Sequence, residues 1–240
     1  MVEPMLWQQE TVKYSDRIAA LRLITKELEE ELKRFPGLLS FHPTNAGSVR
    51  HRALIFVNHS LASAAELVTS IQLLWGHAHF LAAAHCIRLL FELWGSLIYA
   101  QMKVVRKLAV KDGTKVADER LTKLSLGTKS GPLLPAGITD RIKVINVMDF
   151  VRAGEEAAPG FEETYNLLCD VSHPSIMHFY FRSLTVDGSW ANQVFAKEAH
   201  RILERITASS EKAVAGIELR ARTTYQECMP DLTAEIDEHA

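Results

Sequence analysis

Between Phe80 and Lys107 the chain reads FLAAAHCIRLLFELWGSLIYAQMKVVRK, and its polar positions keep a register. His85, Arg88, Glu92, Ser96, Tyr99, Lys103 and Arg106 recur at steps of three and four, which sets them in one narrow stripe along a helix. Nearly everything off the stripe is apolar. A helix with so wide an apolar surface has to be packed on several sides, so this stretch is predicted to be the central rod of a helical bundle.

The same reading gives the elements around the rod. From Thr11 to Phe35 a heptad-like spacing of Ile18, Leu21, Leu28, Leu32 and Phe35, broken by Thr25, predicts a helix that ends at Pro36-Gly37. It would either cover the bundle core or pair with a second copy. A loop at His42 to Gly47 leads to a second helix over Ser48 to Trp75, with Ala53, Phe56, Val57, Leu61, Ala64, Leu67, Val68, Ile71 and Leu74 facing inward. Gly76 permits the reversal into the rod. The run from about 108 to 139 is rich in Gly, Pro and Lys and reads as a mobile excursion, interrupted by a short helix at Val116 to Leu124. A fourth helix is expected to start at Thr139 or Asp140 and to end at Gly154.

In PGFEETYNLLCDVSHPS, Pro159 suits a helix start and Glu162 and Glu163 suit its first turn. His173 precedes Pro174, and so should lie at or past the helix end in extended geometry. Asp187-Gly188, flanked by aromatic and β-branched residues, allows a small β-hairpin near 178–195. A final helix from about Gln193 carries Phe195, Ala199, Ile202, Ile206, Ser209, Ala213 and Ile217, and the acidic tail 229–240 is expected to fray. The predicted fold class is all-α: a bundle of five or six main helices in a single domain, 1–240.

Composition narrows the setting. A chain of 240 residues that is 48% hydrophobic can bury one substantial core, and a net charge of -2 leaves no global field for nucleic acid or an anionic membrane. Any such partner needs a local patch. Three distant cysteines, Cys86, Cys169 and Cys228, argue against a disulfide framework or a cysteine zinc site. The polar N-terminus MVEPMLWQQETVK is unlike a signal peptide, and Leu67 to Ile87, with three histidines, fits a buried hairpin better than a membrane span. A cytoplasmic protein with no membrane contact is the expectation.

The main candidate constellation joins two helices. His85, Arg88 and Glu92 share a face of the rod, while Tyr165, Cys169 and Ser172 share a face of a later helix with His173 at its end. If these faces meet, Arg88, Glu92, Tyr165 and His173 would form a charged network able to hold a phosphate or move a proton. The same stripe would otherwise be a solvated face, or a buried network that fixes helix register.

These two segments, RLLFE within a long apolar helix and Y-x-x-L-C-D-x-x-H-P-S, resemble the arrangement in bacterial helical proteins allied to the HEPN superfamily. The resemblance implies a helical bundle, often a homodimer, that binds RNA or cuts it without metal through an Arg-x(4-6)-His motif, in a defence or toxin-type system. Arg52-ALIFVN-His59 has that motif's longest spacing, and its two ends share a helical face. Ala53 replaces the polar residue that usually follows the arginine, and the motif falls on an earlier helix than is usual.

Further chemistry is thinner. His77 and His79 would point about 200° apart on a helix, and no carboxylate has ligand spacing beside them, so no metal or other cofactor is expected. Lys103, Arg106, Lys107 and Lys111 head a locally basic stretch that would carry phosphate contacts. Phe179, Tyr180, Phe181 and Trp190 would cover the core or stack bases. The functional expectation is RNA binding or metal-independent RNA cleavage by Arg52 and His59 or by Arg88 and His173. The alternative is a noncatalytic scaffold that dimerises or docks a protein partner.

Overall fold

Two long helices, α1 (Ala46–Gly76) and α2 (Phe80–Lys103), form an antiparallel pair joined by three residues. This computed structural model describes residues 16, 18–27, 30, 46–77, 79–126, 144–173 and 190–237, with backbone alone at 46–48, 190–196, 200 and 231–237. Beyond α2 come a 3-10 turn (Val105–Lys107), α3 (Gly113–Leu126), α4 (Val147–Ala157), α5 (Phe161–Ser172) and α6 (Trp190–Asp237). Residues 18–27 are also helical, with Ile18, Leu21 and Ile24 buried. No strand occurs among the described residues, and the all-α class holds.

α2 is the rod. It packs against α1, α3, α4, α5, α6 and the 3-10 turn. Trp94, Gly95, Ser96, Leu97 and Ile98 are consecutive and all buried, which a helix achieves only when it is enclosed on every side. The core facing it comes from α1 through Val49, Ala53, Val57, Leu61, Ala64, Val68, Ile71 and Trp75, at steps of three and four, and from α6 through Ile206, Ala213, Ile217 and Ala221. α1 and the stretch from Phe80 to Lys107 are each long and apolar enough to cross a membrane, and here they are packed into this core.

An aromatic cluster fixes the short helices. Phe91 and Trp94 of α2 meet Phe161 of α5 with ring centroids 5.0–5.6 Å apart. Two glycines make room for it. A Cβ on Gly154 would lie 2.7 Å from the Phe161 ring, and one on Gly216 would lie 2.2 Å from the Trp94 indole. Gly95 similarly admits the α4 backbone, whose Phe150 carbonyl oxygen would be 2.9 Å from an added Cβ.

Several local expectations are corrected. Gly154 does not end a helix: it serves close packing in α4, which continues to Ala157. α4 starts at Val147, not at Thr139 or Asp140, because Asn146 takes extended geometry and its side chain accepts the Met148 N–H at 3.0 Å. Val144 and Ile145 precede the helix, and 127–143 lie outside the described residues. The short helix expected at Val116 to Leu124 is present and somewhat longer: α3 covers Gly113–Leu126 and buries Ala117 and Leu121. Trp190 is already helical, so the proposed ribbon cannot reach 195, and 174–189 lie outside the described residues. The tail continues α6 through Pro230 to Asp237. Leu28, Leu32 and Phe35 of the first helix also lie outside the described residues.

Candidate functional site

α5 is built to present one side chain. Gly160 enters it in left-handed geometry, φ 85°, and Glu155 of α4 reaches over to accept the backbone N–H of Gly160 at 3.1 Å and of Glu162 at 2.9 Å. Phe161 then anchors the first turn in the aromatic cluster, and Tyr165 follows one turn later on the same face. That places its phenol against the polar stripe of α2.

There a closed ring of hydrogen bonds forms. Arg88 Nε donates to Glu92 Oε1 at 3.1 Å, Arg88 Nη2 donates to the Tyr165 hydroxyl at 3.3 Å, and that hydroxyl donates to Glu92 Oε1 at 2.9 Å. The guanidinium carbon also stands 5.6 Å from the centre of the Tyr165 ring. Arg88 and Glu92 are each 26% exposed, so the cluster is half-buried and neither solvated nor sealed. Burial pushes the Tyr165 hydroxyl up to about 12, the Glu92 carboxylate adds to this, and Arg88 only partly opposes it. Burial also opposes the Arg88 charge, but Tyr165, Cys169 and Glu92 outweigh it and hold the guanidinium above its ordinary value. The phenol therefore stays protonated and serves as a donor to Glu92 near neutral pH.

Three of the four expected members converge, and His173 does not. It caps the C-terminus of α5 with extended backbone, φ -87° and ψ 150°, as the following proline demands, and its ring is exposed. Among the described residues its side chain joins none of the three. His85 is likewise exposed, whereas Cys169 sits close enough to add to the field at Arg88.

The second candidate pair is separated by chemistry. Arg52 is ion-paired with Asp118 of α3, both side chains being under 20% exposed, while His59 stands in solvent two turns further along α1. The imidazole that this helix buries is His51, and burial pushes its pKa below the ordinary value, which keeps it neutral near pH 7. His77 and His79 are exposed with ring centres 6.4 Å apart, and no group of three or more metal-ligating side chains occurs among the described residues.

The basic residues gather where α2 ends. Lys103 lies 3.6 Å from Glu156, and Arg106 lies 3.9 Å from Glu227. Arg120 of α3 donates to the Lys103 carbonyl at 3.0 Å, satisfying one orphan acceptor of the helix end. Lys107 is half-buried, and Lys111 is exposed. Sequence reasoning missed Glu156 and Glu227 as the partners of Lys103 and Arg106, Asp118 as the partner of Arg52, and Gln101 as the amide that joins Arg220 to Glu227. A glutamine off the polar stripe in the last turns of the rod was the one available signal, because a buried amide needs partners. No family model matches the chain, and neither curated proteins nor solved structures give a significant match.

Proposed function

We propose that the chain is a cytosolic HEPN-like helical module that holds RNA through the basic turn after α2 without cutting it. The observation that carries this reading is that both candidate catalytic arginines are engaged by carboxylates. Arg52 is paired with Asp118 and Arg88 with Glu92, and neither His59 nor His173 joins either pair among the described residues. Metal-free cleavage requires a guanidinium open to the phosphate and a proton-transfer group within hydrogen-bond reach. Neither pair supplies both. At the turn, by contrast, Lys107 and Lys111 have no carboxylate partner among the described residues, and Arg106 is 57% exposed.

The test has two arms. RNA binding by the intact protein should weaken steeply as salt rises, with a log–log slope of about -0.7 per phosphate contact, and K107A and K111A should each flatten it. Binding that ignores both salt and these variants would reject the proposal. Metal-free incubation of wild type, H59A and H173A with RNA should leave the substrate intact. Cleavage by the wild type that either variant abolishes would restore the catalytic reading.

One observation favours a second reading, the scaffold. An apolar groove of about 520 Å³ runs between α1 and α2, floored by Phe56, Leu67 and Leu93 and rimmed by Leu89, with Glu66 and Glu92 at its sides. Such a floor with acidic sides suits a partner helix that flanks its apolar face with Lys or Arg. Leu89 is 49% exposed, so L89D should abolish capture of a basic amphipathic model helix without unfolding the bundle, and unaltered capture would reject this reading.

A further inference from the structure

Gln101 is fully buried in the last turns of α2, and it is held by α6 on both sides of its amide. Its Nε2 donates to Glu227 Oε1 at 3.0 Å, and its Oε1 accepts from Arg220 Nη1 at 2.7 Å. Arg220 and Glu227 are seven residues apart, so one glutamine grips one face of α6 across two turns. Arg106 reaches the same Glu227 oxygen from the 3-10 turn, at 3.9 Å. Arg106 thus meets this carboxylate directly and Arg220 is linked to it through the Gln101 amide, so two guanidinium charges stand against one carboxylate among these three groups.

The cluster has a further unanswered polar group. Thr224, between Arg220 and Glu227 on that face of α6, is fully buried, and its hydroxyl, which can donate, has no partner among the described residues. Arg220 bears a cost as well. Burial and the repulsion from Arg106 together lower its pKa, and Glu227 only partly compensates. Gln101 holds a guanidinium beside a second cation, an arrangement that an incoming anion would relieve.

We propose that Arg106 and Arg220 clamp a phosphate monoester, with Gln101 as the positioning residue that aims Arg220. The monoester suits the pair better than a chain diester does, since it brings up to two negative charges and three unesterified oxygens to two planar forks. Arg106 supplies the accessible rim and Arg220 the half-buried floor. The terminal phosphate of an RNA is the source implied by the RNA-binding reading, on which this assignment rests. A mononucleotide or inorganic phosphate offers the same chemistry.

The experiment titrates the full chain with one oligoribonucleotide in 5′-phosphorylated and 5′-hydroxyl forms, and separately with inorganic phosphate and AMP at fixed ionic strength. The phosphorylated form should bind at least about tenfold more tightly, and phosphate or AMP should raise the unfolding temperature. R106Q, at an exposed position, should erase both effects, as should R220Q if it folds, and Q101L should weaken them with Arg106 still present. Equal binding of the two RNA forms, or discrimination that survives in R106Q, overturns the clamp. If inorganic phosphate and AMP bind in an R106Q-sensitive way but neither RNA binds, the clamp stands and the RNA reading fails. If both RNAs bind equally and phosphate does nothing, the clamp fails and the RNA reading stands.

Discussion

The Tyr165 hydroxyl lies 2.9 Å from Glu92 Oε1, across the interface between α5 and α2, and the same carboxylate oxygen accepts from Arg88. Each member has its polar atoms answered by the others, so removing one leaves a half-buried partner short. Y165F should cost about 1 kcal/mol, and E92Q about 1.5–3 kcal/mol because it strips the charge partner from Arg88. The double variant should cost less than the sum. Urea denaturation reads all three, and a solvated stripe would give changes within about 0.5 kcal/mol.

The same ring predicts an alkaline signature. Tyr165 titrates at about 12, above the ordinary tyrosine value of about 10, because burial and Glu92 disfavour the phenolate. A folded-state pKa raised in this way contributes stability that is complete below pH 10 and is lost as pH rises through about 12. Denaturation midpoints should therefore fall over that window in the wild type and fall less in Y165F. Tyrosinate absorbance difference spectra between the two proteins should show the late-titrating phenol. A midpoint near pH 10 for the missing residue would show that the ring opens in solution.

Gly216 faces Trp94 so closely that an added Cβ would sit 2.2 Å from the indole. In a helix interior, glycine to alanine ordinarily gains roughly 0.5–1 kcal/mol. Here the indole is wedged against Phe91 and Phe161 and cannot yield, so overpacking of about 1–3 kcal/mol should prevail. G216A should lower the unfolding midpoint and shift tryptophan emission to the red. Stabilisation would mean that Trp94 does not occupy this slot.

Glu155 carries the N-terminus of α5. Its carboxylate accepts backbone N–H groups of Glu162 and Gly160, with Phe161 contributing, and these bonds hold its pKa below the ordinary value. A folded-state pKa depressed in this way contributes stability that is present above the ordinary range and is lost as pH falls through the lowered value. E155Q should flatten the acid side of the stability profile, and side-chain carbonyl NMR should find Glu155 titrating below the other glutamates. An unshifted titration would remove it as a cap.

The sequence makes the rod and its polar stripe legible because α2 has apolar residues on nearly every side, leaving charged groups only one narrow strip, but whether that strip meets a neighbour or water is decided by where α5 packs. The Arg88–Glu92 step is local, and Pro174 dictates the backbone of His173. That same extended exit has an outcome no periodicity could reveal: His173, eight residues after Tyr165, is exposed and joins no member of the cluster among the described residues. Gly154 reads as a stop because glycine often ends helices, yet its contact with Phe161 decides otherwise. The short helix expected at Val116 to Leu124 is α3, and only its bounds are illegible, since its two inward residues, Ala117 and Leu121, are too few to mark where the period begins and ends. Gln101 meets Arg220 across 119 residues, a distance at which spacing carries no information.

Arg52 and Asp118 are separated by 66 residues, and they join α1 to α3 as an ion pair between side chains 19% and 15% exposed. Removing the acid leaves a largely buried guanidinium whose charge is no longer balanced by Asp118, a change of the kind that costs about 3–5 kcal/mol when burial is complete. Partial exposure lets Arg52 recover some hydration, so D118N should cost about 1–3 kcal/mol. The cost should exceed that of D149N, whose pair with Arg152 is exposed and worth under about 1 kcal/mol. D118N also takes the Asp118 carboxylate away from Arg52 without altering Arg52 or His59. If that pair were a restrained ribonuclease centre, the variant would cut RNA faster than the wild type, and in a binding module it should be equally silent while unfolding at lower urea.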